Sequence, residues 1–249
     1  MKILICHFGE QWESLAATSL LKGLYNNFGK IDIYWATSHS NAILYKYNKK
    51  VNAVFTDYEP IKFEFDKVIN LTPTTLSCKY ASSINAKERS GFFERDGSIF
   101  ATNTEIENIF KMLNYKNHTS KNIFQILFKI ANITWRGESY DLCYFPKTRT
   151  KKNKTGIAIH NPDLRKFVKE NLKLRLSEVW HVPIKQDILK RIDEINRCKN
   201  IVTDDLFILH ASIALRKYVE FLDIEGIPSM IEFFGHGRSE ERRVGKECS

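Results

Sequence analysis

The sequence predicts an α/β protein built in two parts, and three observations carry that expectation. The first residues run strand, loop, helix, strand, which is the start of a βαβ unit and so of a parallel sheet. The same alternation returns after Thr155. Between the two lies PKTRTKKNK, residues 146–154, with five basic residues of nine and no apolar side chain but proline. That composition reads as an interdomain linker, and equally as a solvated surface loop. The expected division is 1–145, the linker 146–154, and 155–237, followed by a tail at 238–249.

Taken in order, Lys2 to Cys6 is a short β-rich run and His7 to Glu13 a loop. Ser14 to Leu24 has Leu15, Thr18, Leu21 and Lys22 at helical spacing, with Gly23 and Gly29 near its end. Ile31 to Ala36 and Lys67 to Leu71 are strands, and Ser77 to Ile84 is a helix. Thr102-x-x-Glu105 resembles a capping box that opens a helix with Ile106, Ile109, Phe110 and Leu113 on one face. Asn122 to Ile133 is amphipathic. In the second half, Thr155 to His160 is a strand and Asp187 to Cys198 a helix carrying Ile188, Ile192 and Ile195 on one side. Ile201-Val202 is a strand, Thr203 to Leu206 a turn, Phe207 to Leu215 a helix and Tyr218 to Leu222 a last strand. Relative to the family that the segments quoted below resemble, one strand–helix unit is expected to be missing between His160 and Asp187.

Composition narrows the function classes. The 249 residues are 43% hydrophobic, enough for one large core or two small ones. The net charge of +9 favours anionic partners: nucleotides, nucleic acid, phosphorylated lipids or an acidic membrane surface. The basic residues are dispersed and no nucleic-acid recognition motif is present, so nucleic acid ranks last. No signal peptide and no apolar run of membrane-spanning length are expected, which points to the cytoplasm. The basic charge adds peripheral contact with the anionic inner face of a membrane. Cys6, Cys78, Cys143, Cys198 and Cys248 are scattered, which fits reduced thiols rather than a disulfide frame or a zinc site. The sequon Asn70-Leu71-Thr72 is read as chance. Residues Arg238 to Ser249 resemble the translation of a DNA-sequencing adapter and are set aside; without them the charge is +8.

Two stretches hold the polar residues that could do chemistry. The first loop, HFGEQWESLAATS, has one glycine, Gly9, and two carboxylates, Glu10 and Glu13, where a nucleotide-binding loop would carry several glycines. Acids there repel phosphate and suit a general base at the sheet edge; the alternative is a glutamate that merely steadies a helix N-terminus. The second stretch, IVTDDLFILHASIAL, places Thr203, Asp204 and Asp205 between a strand and a helix, with His210 five residues on. The helix N-terminus is an anion site, Asp205 can accept from sugar hydroxyls, and His210 can donate to a phosphate oxygen. The alternative is that Asp204 caps the helix and His210 is a satisfied core histidine.

Three segments together resemble glycosyltransferase family 9, the ADP-heptose:lipopolysaccharide heptosyltransferases. They are MKILICHFGEQWESLAATSLLKGL, FDKVINLTPTTLSCKYASSINAKERSGF and CKNIVTDDLFILHASIALRKYVEFL, in the family's order and spacing. The resemblance implies a GT-B-like fold: two Rossmann-like domains with a cleft between them, here with a shortened C-terminal domain. It implies a cytoplasmic, inverting, metal-independent glycosyltransferase of lipopolysaccharide biosynthesis, using an ADP-heptose-like nucleotide-sugar as substrate and no cofactor. The acceptor would be a glycan or lipid-linked sugar. By carry-over Glu13 is the catalytic base, where the family keeps aspartate, and Glu10, Thr18 and Ser19 lie on the acceptor side. Asp205 and His210, with Thr203 and Asp204, lie on the donor side. The family's DTG turn is Asp205-Leu206-Phe207 here, and Lys166 and Lys173 are the candidates for its donor-site lysine. The alternative function is a non-catalytic relative that binds a sugar-nucleotide or glycan.

Overall fold

The computed structural model describes residues 1–114, 123–171, 178–185 and 187–222. The chain divides at Cys143/Tyr144 into two compact units, each with its own sheet.

The N-terminal unit begins with β1 (Lys2–His7), α1 (Gln11–Ala17), α2 (Ser19–Phe28) and β2 (Asp32–Thr37). It continues with α3 (Ile43–Lys46), β3 (Val51–Thr56), β4 (Phe65–Asn70) and α4 (Thr75–Ser83). It closes with β5 (Ala86–Arg95), β6 (Ser98–Ala101), α5 (Thr104–Asn114) and α6 (Ile123–Ile130). The sheet order is β3-β2-β1-β4-β5-β6, parallel except for the β5/β6 hairpin at the edge. The central strand β1 is apolar on both faces because helices cover both: Ile3, Leu4 and Ile5 are fully buried. The order reverses between β1 and β4, and the carboxyl ends of those two strands are where an open α/β sheet receives a ligand. Asn70 at the end of β4 is fully buried. Its amide donates to the Phe92 carbonyl at 2.7 Å and accepts from Ser77 Oγ at 2.8 Å, so it locks β4 to β5 and α4 and is closed to glycosylation.

Helix boundaries differ from the sequence reading in instructive ways. The expected single helix from Ser14 is two. Thr18 Oγ1 donates back to the Leu15 carbonyl at 2.7 Å and Ser19 Oγ to the Ala16 carbonyl at 2.8 Å, and the axis breaks there. Gly23 does not end α2 but sits inside it; a Cβ at that point would stand 2.6 Å from Phe128 Cζ, so its absence lets α6 pack against α2. The helix stops at Gly29, whose φ of 71° suits glycine. The cap of α5 is Asn103, whose Oδ1 accepts the Ile106 N–H at 2.9 Å; Thr102 instead accepts from Gly91 N–H at 3.0 Å. Part of the expected segment from Asn122 lies outside the described residues.

The C-terminal unit holds β7 (Lys151–Ala158), α7 (Pro162–Asn171), β8 (Val179–His181), α8 (Ile188–Arg197), β9 (Cys198–Thr203), α9 (Leu206–Ala214) and β10 (Tyr218–Phe221). Its four strands run parallel in the order β10-β9-β7-β8. The order reverses between β7 and β9, so His160 and Thr203–Asp205 share one sheet edge. The shortening expected of this half is seen as four strands against six among the described residues.

Two expectations are corrected here. The strand–helix unit thought missing between His160 and Asp187 is present as α7 and β8. The linker 146–154 is not a free tether. Thr148 Oγ1 donates to the Asp193 carbonyl at 2.5 Å, Thr150 Oγ1 to the Asn196 carbonyl at 2.9 Å, and β7 begins at Lys151. A register shift between Lys151 and Thr155 interrupts the pairing of β7 with β9. The tail 238–249 lies outside the described residues.

Candidate active site

At the carboxyl end of β1, the loop Phe8–Glu10 leads into α1. Phe8 N–H donates to Thr72 Oγ1 at 2.9 Å, which ties this loop to the end of β4 across the reversal point. Phe8 also stacks on Tyr58 at 4.1 Å and meets Tyr80 edge-on at 5.7 Å, so aromatic side chains flank the loop.

Glu13 is a helix residue, not a loop residue. It occupies the third position of α1, and its Oε2 reaches back to accept the Glu10 N–H at 2.8 Å. The longer side chain is what makes that reach possible at this position. Among the described residues Oε1 makes no hydrogen bond. Burial pushes the Glu13 carboxyl above its ordinary range, and Glu10 adds like-charge repulsion; the bond from the Glu10 N–H acts in the opposite direction. The helix-steadying role and a base role therefore use different oxygens of one carboxylate.

The sequence reading passed over His7, Ser14 and Asn41, which are linked to one another beside the Gly9 backbone. His7 is 3% exposed and its Nδ1 lies 2.9 Å from Ser14 Oγ. Asn41 Nδ2 donates to Ser14 Oγ at 2.8 Å and to the Gly9 carbonyl at 2.9 Å. Burial pulls the His7 imidazole down to about 4, so it is neutral at pH 7. The available signal was a polar residue ending the apolar strand KILICH, at the edge where such sheets bind ligands.

Of the other residues expected on the acceptor side, Glu10 is exposed at the mouth of α1. Thr18 and Ser19 are corrected: both are fully buried, with hydroxyls committed to the α1/α2 break. Thr18 Oγ1 also accepts the Asp141 N–H at 3.0 Å. No surface is left for them to offer a ligand.

In the C-terminal unit, Thr203, Asp204 and Asp205 build the β9–α9 turn. Thr203 Oγ1 donates to the Ala158 carbonyl at 2.7 Å and accepts the Asp205 N–H at 3.0 Å. Asp204 accepts the N–H groups of His160 and Asn161 at 2.7 and 2.8 Å, so it orders the β7–α7 loop rather than capping α9. The cap is Asp205, whose Oδ1 accepts the Ile208 N–H at 2.8 Å. By helix geometry the Leu206 and Phe207 N–H groups have no intrahelical partner and remain for an anion. The second Asp205 oxygen lies 2.8 Å from His160 Nε2, and the His160 side chain is 49% exposed. His160 was not singled out in the sequence; it reaches Asp205 only because β7 and β9 are neighbours.

His210 lies in the interior, 2% exposed, and burial pulls its imidazole down to about 3. It is neutral at pH 7 and offers no positive charge to a phosphate. Lys166 is exposed on α7, and Lys173 lies outside the described residues. No described helix is long and apolar enough to cross a membrane.

No family profile matches the chain, and no curated protein matches it by sequence. Solved structures do match. E. coli heptosyltransferase WaaC with ADP superposes with a TM-score of 0.60 at 12% identity, over 89% of this chain and 86% of that one. The chain shares the fold of that structure. A glycosyltransferase of family 9 from Veillonella parvula gives a TM-score of 0.60 at 12% identity, over 88% and 80% of the two chains. E. coli ADP-heptose lps heptosyltransferase II gives 0.58 at 11% identity, over 89% and 84%. The GT-B-like, two-unit α/β architecture expected from the sequence is therefore the one observed.

Proposed function

We propose that the chain is a glycosyltransferase that moves a sugar from a nucleotide-diphospho-sugar to a glycan or lipid-linked hydroxyl, with inversion and without a metal. The observation that carries this reading is the Glu13 carboxylate. It stands at the strand-order reversal of a heptosyltransferase-like N-terminal unit, with a raised pKa and one oxygen outside the helix cap.

In the proposed step, Glu13 Oε1 takes the proton of the acceptor hydroxyl. The acceptor oxygen forms a bond to the anomeric carbon as the bond from that carbon to the diphosphate oxygen breaks. The electron pair leaves with the nucleoside diphosphate. An elevated carboxyl pKa makes a stronger base. The donor is assigned to the C-terminal unit, where the Leu206 and Phe207 N–H groups at the start of α9 take developing phosphate charge. WaaC was solved with ADP and, in a second structure, with ADP-2-deoxy-2-fluoro heptose, which supports an adenine nucleotide-sugar as the first donor to try. A lipopolysaccharide-type acceptor and contact with an anionic membrane belong to the same proposal. His210, interior and neutral, takes no part in the proposed step.

One observation favours the second reading, a sugar-nucleotide or glycan-binding protein without turnover. Asp205 puts a carboxylate at the α9 N-terminus, and its offset by His160 depends on that imidazole being protonated. The deciding experiment is nucleoside-diphosphate release from a nucleotide-sugar panel, with and without sugar acceptors, beside a thermal-shift measurement of binding. Binding with no acceptor-dependent release selects the second reading.

A further inference from the structure

We propose that His7 is a positioning residue for Glu13: an imidazole locked as the Nε2–H tautomer, aimed over Gly9 at the Glu13 carboxylate. This rests on the reading of Glu13 as the base.

The tautomer follows from hydrogen-bond accounting. The Gly9 carbonyl can only accept, so the Asn41 atom 2.9 Å away is the amide nitrogen, and the orientation of that amide is settled. The same nitrogen donates to Ser14 Oγ at 2.8 Å. The single Ser14 proton then goes to its other neighbour, His7 Nδ1, at 2.9 Å. A neutral ring that accepts at Nδ1 carries its proton on Nε2. Burial keeps the ring neutral against the pull of its own backbone carbonyl, the acceptor that favours the competing Nδ1–H tautomer.

The aim follows from Gly9. A Cβ built on Gly9 would overlap Glu13 Oε2 and stand 3.2 Å from His7 Nε2. Both atoms close on one point above the Gly9 backbone, within the span of a single bridging hydroxyl or water. Gly9 is therefore glycine for room, not for an unusual φ. An N–H dipole directed at a half-buried carboxylate favours its ionised form and fixes its plane. His7 keeps its own proton throughout; the acceptor proton ends on Glu13. The titratable groups facing Glu13 are His7, from the end of β1, and Glu10, at the start of α1; Glu10 disfavours the charge, and the proposed Nε2–H opposes that effect.

The test uses the full chain and needs no turnover. Nitrogen-15 histidine spectra at pH 7 should show His7 protonated at Nε2 and bare at Nδ1, and in Ser14→Ala the ring should populate both tautomers. Carbon-13 titration of the Glu13 carboxyl should show its midpoint rising by roughly half a unit to one unit in His7→Leu. His7→Gln, whose amide N–H can replace Nε2–H, should keep the wild-type midpoint. An Nδ1–H tautomer in the wild type overturns the proposal, and so does a Glu13 midpoint that His7→Leu leaves in place. The wild-type spectrum decides even where a variant fails to fold. Absence of sugar transfer with every donor would sink the base reading and leave these spectra as they are.

Discussion

Changing Glu13 to glutamine and to aspartate separates the two jobs of one carboxylate. Glu13 Oε2 caps α1 by accepting the Glu10 N–H at 2.8 Å, and Oε1 is the oxygen assigned to the acceptor proton. Glutamine has the same reach and an amide oxygen that can keep the cap, so Glu13→Gln should lose less than about 0.5 kcal/mol of stability. It cannot take a proton, so acceptor-dependent transfer should fall about 10²–10⁴-fold. Aspartate is one methylene shorter. It remains a base but cannot reach the Glu10 N–H from the same backbone position, so Glu13→Asp should cost about 0.5–1 kcal/mol of stability. Its rate should also fall, because a displacement of one methylene moves the base off line. The assays are nucleoside-diphosphate release with acceptor and thermal melts on the same preparations. Equal turnover in wild type, Glu13→Gln and Glu13→Asp would remove Glu13 from the mechanism. A large loss of stability in Glu13→Gln would show that the charge itself holds the fold.

Three further outcomes are expected. His7 and His210 have folded-state pKa values near 4 and 3, below the ordinary 6.5, so the unfolded chain binds protons that the native chain refuses; stability should fall as the pH drops from 6.5 toward 4, by on the order of 3 kcal/mol from each, read by urea melts across that range. A flat profile would mean that these rings are charged or open to solvent. For Glu13 the sign is reversed: its folded pKa is raised, so it disfavours the native state as the pH rises through that value; Glu13→Gln should lack this slope, which then appears as the difference between the two melt series. Asp204→Ala strips the acceptor from the His160 and Asn161 N–H groups and should cost about 1–2 kcal/mol; an unchanged melt would show that solvent replaces both bonds. Gly23→Ala gains helix propensity but drives a methyl into Phe128, for a net loss of about 1–2 kcal/mol that Phe128→Leu should partly relieve; a stabilised Gly23→Ala would refute the close packing of α2 on α6.

The local patterns were legible because they are local. Apolar runs such as Ile3–Ile5 and Ile201–Val202, punctuated by turn residues, mark strands buried on both faces wherever they end up in a sheet. The strand–helix alternation fixed the α/β class, and the paired acids after β1 and β9 fell at strand ends because polar residues cannot continue a buried strand. Strands β3 and β5 were missed because they are less uniformly apolar: β3 is half-exposed along its length, and β5 carries Lys87, Glu88 and Arg89 at its exposed start. The Pro162–Asn171 helix was missed for the same reason: most of its residues are polar.

Only the tertiary structure decided which polar groups are spent and which are offered. Thr18, Ser19, Thr203 and Asp204 look like ligand-binding residues in one dimension, yet each is consumed by a backbone partner. His210 looks available and is interior, whereas His160 looks ordinary and reaches Asp205 from 45 residues away because β7 and β9 are paired. The chain from Asn41 through Ser14 to His7 joins β1, α1 and the turn before α3 and has no signature in the spacing of its members. The physical reason is common to all of these. Periodicity is set by the backbone of each segment, whereas the fate of a hydroxyl, carboxylate or imidazole depends on which unpaired donors and acceptors the packed sheets bring within 3 Å of it.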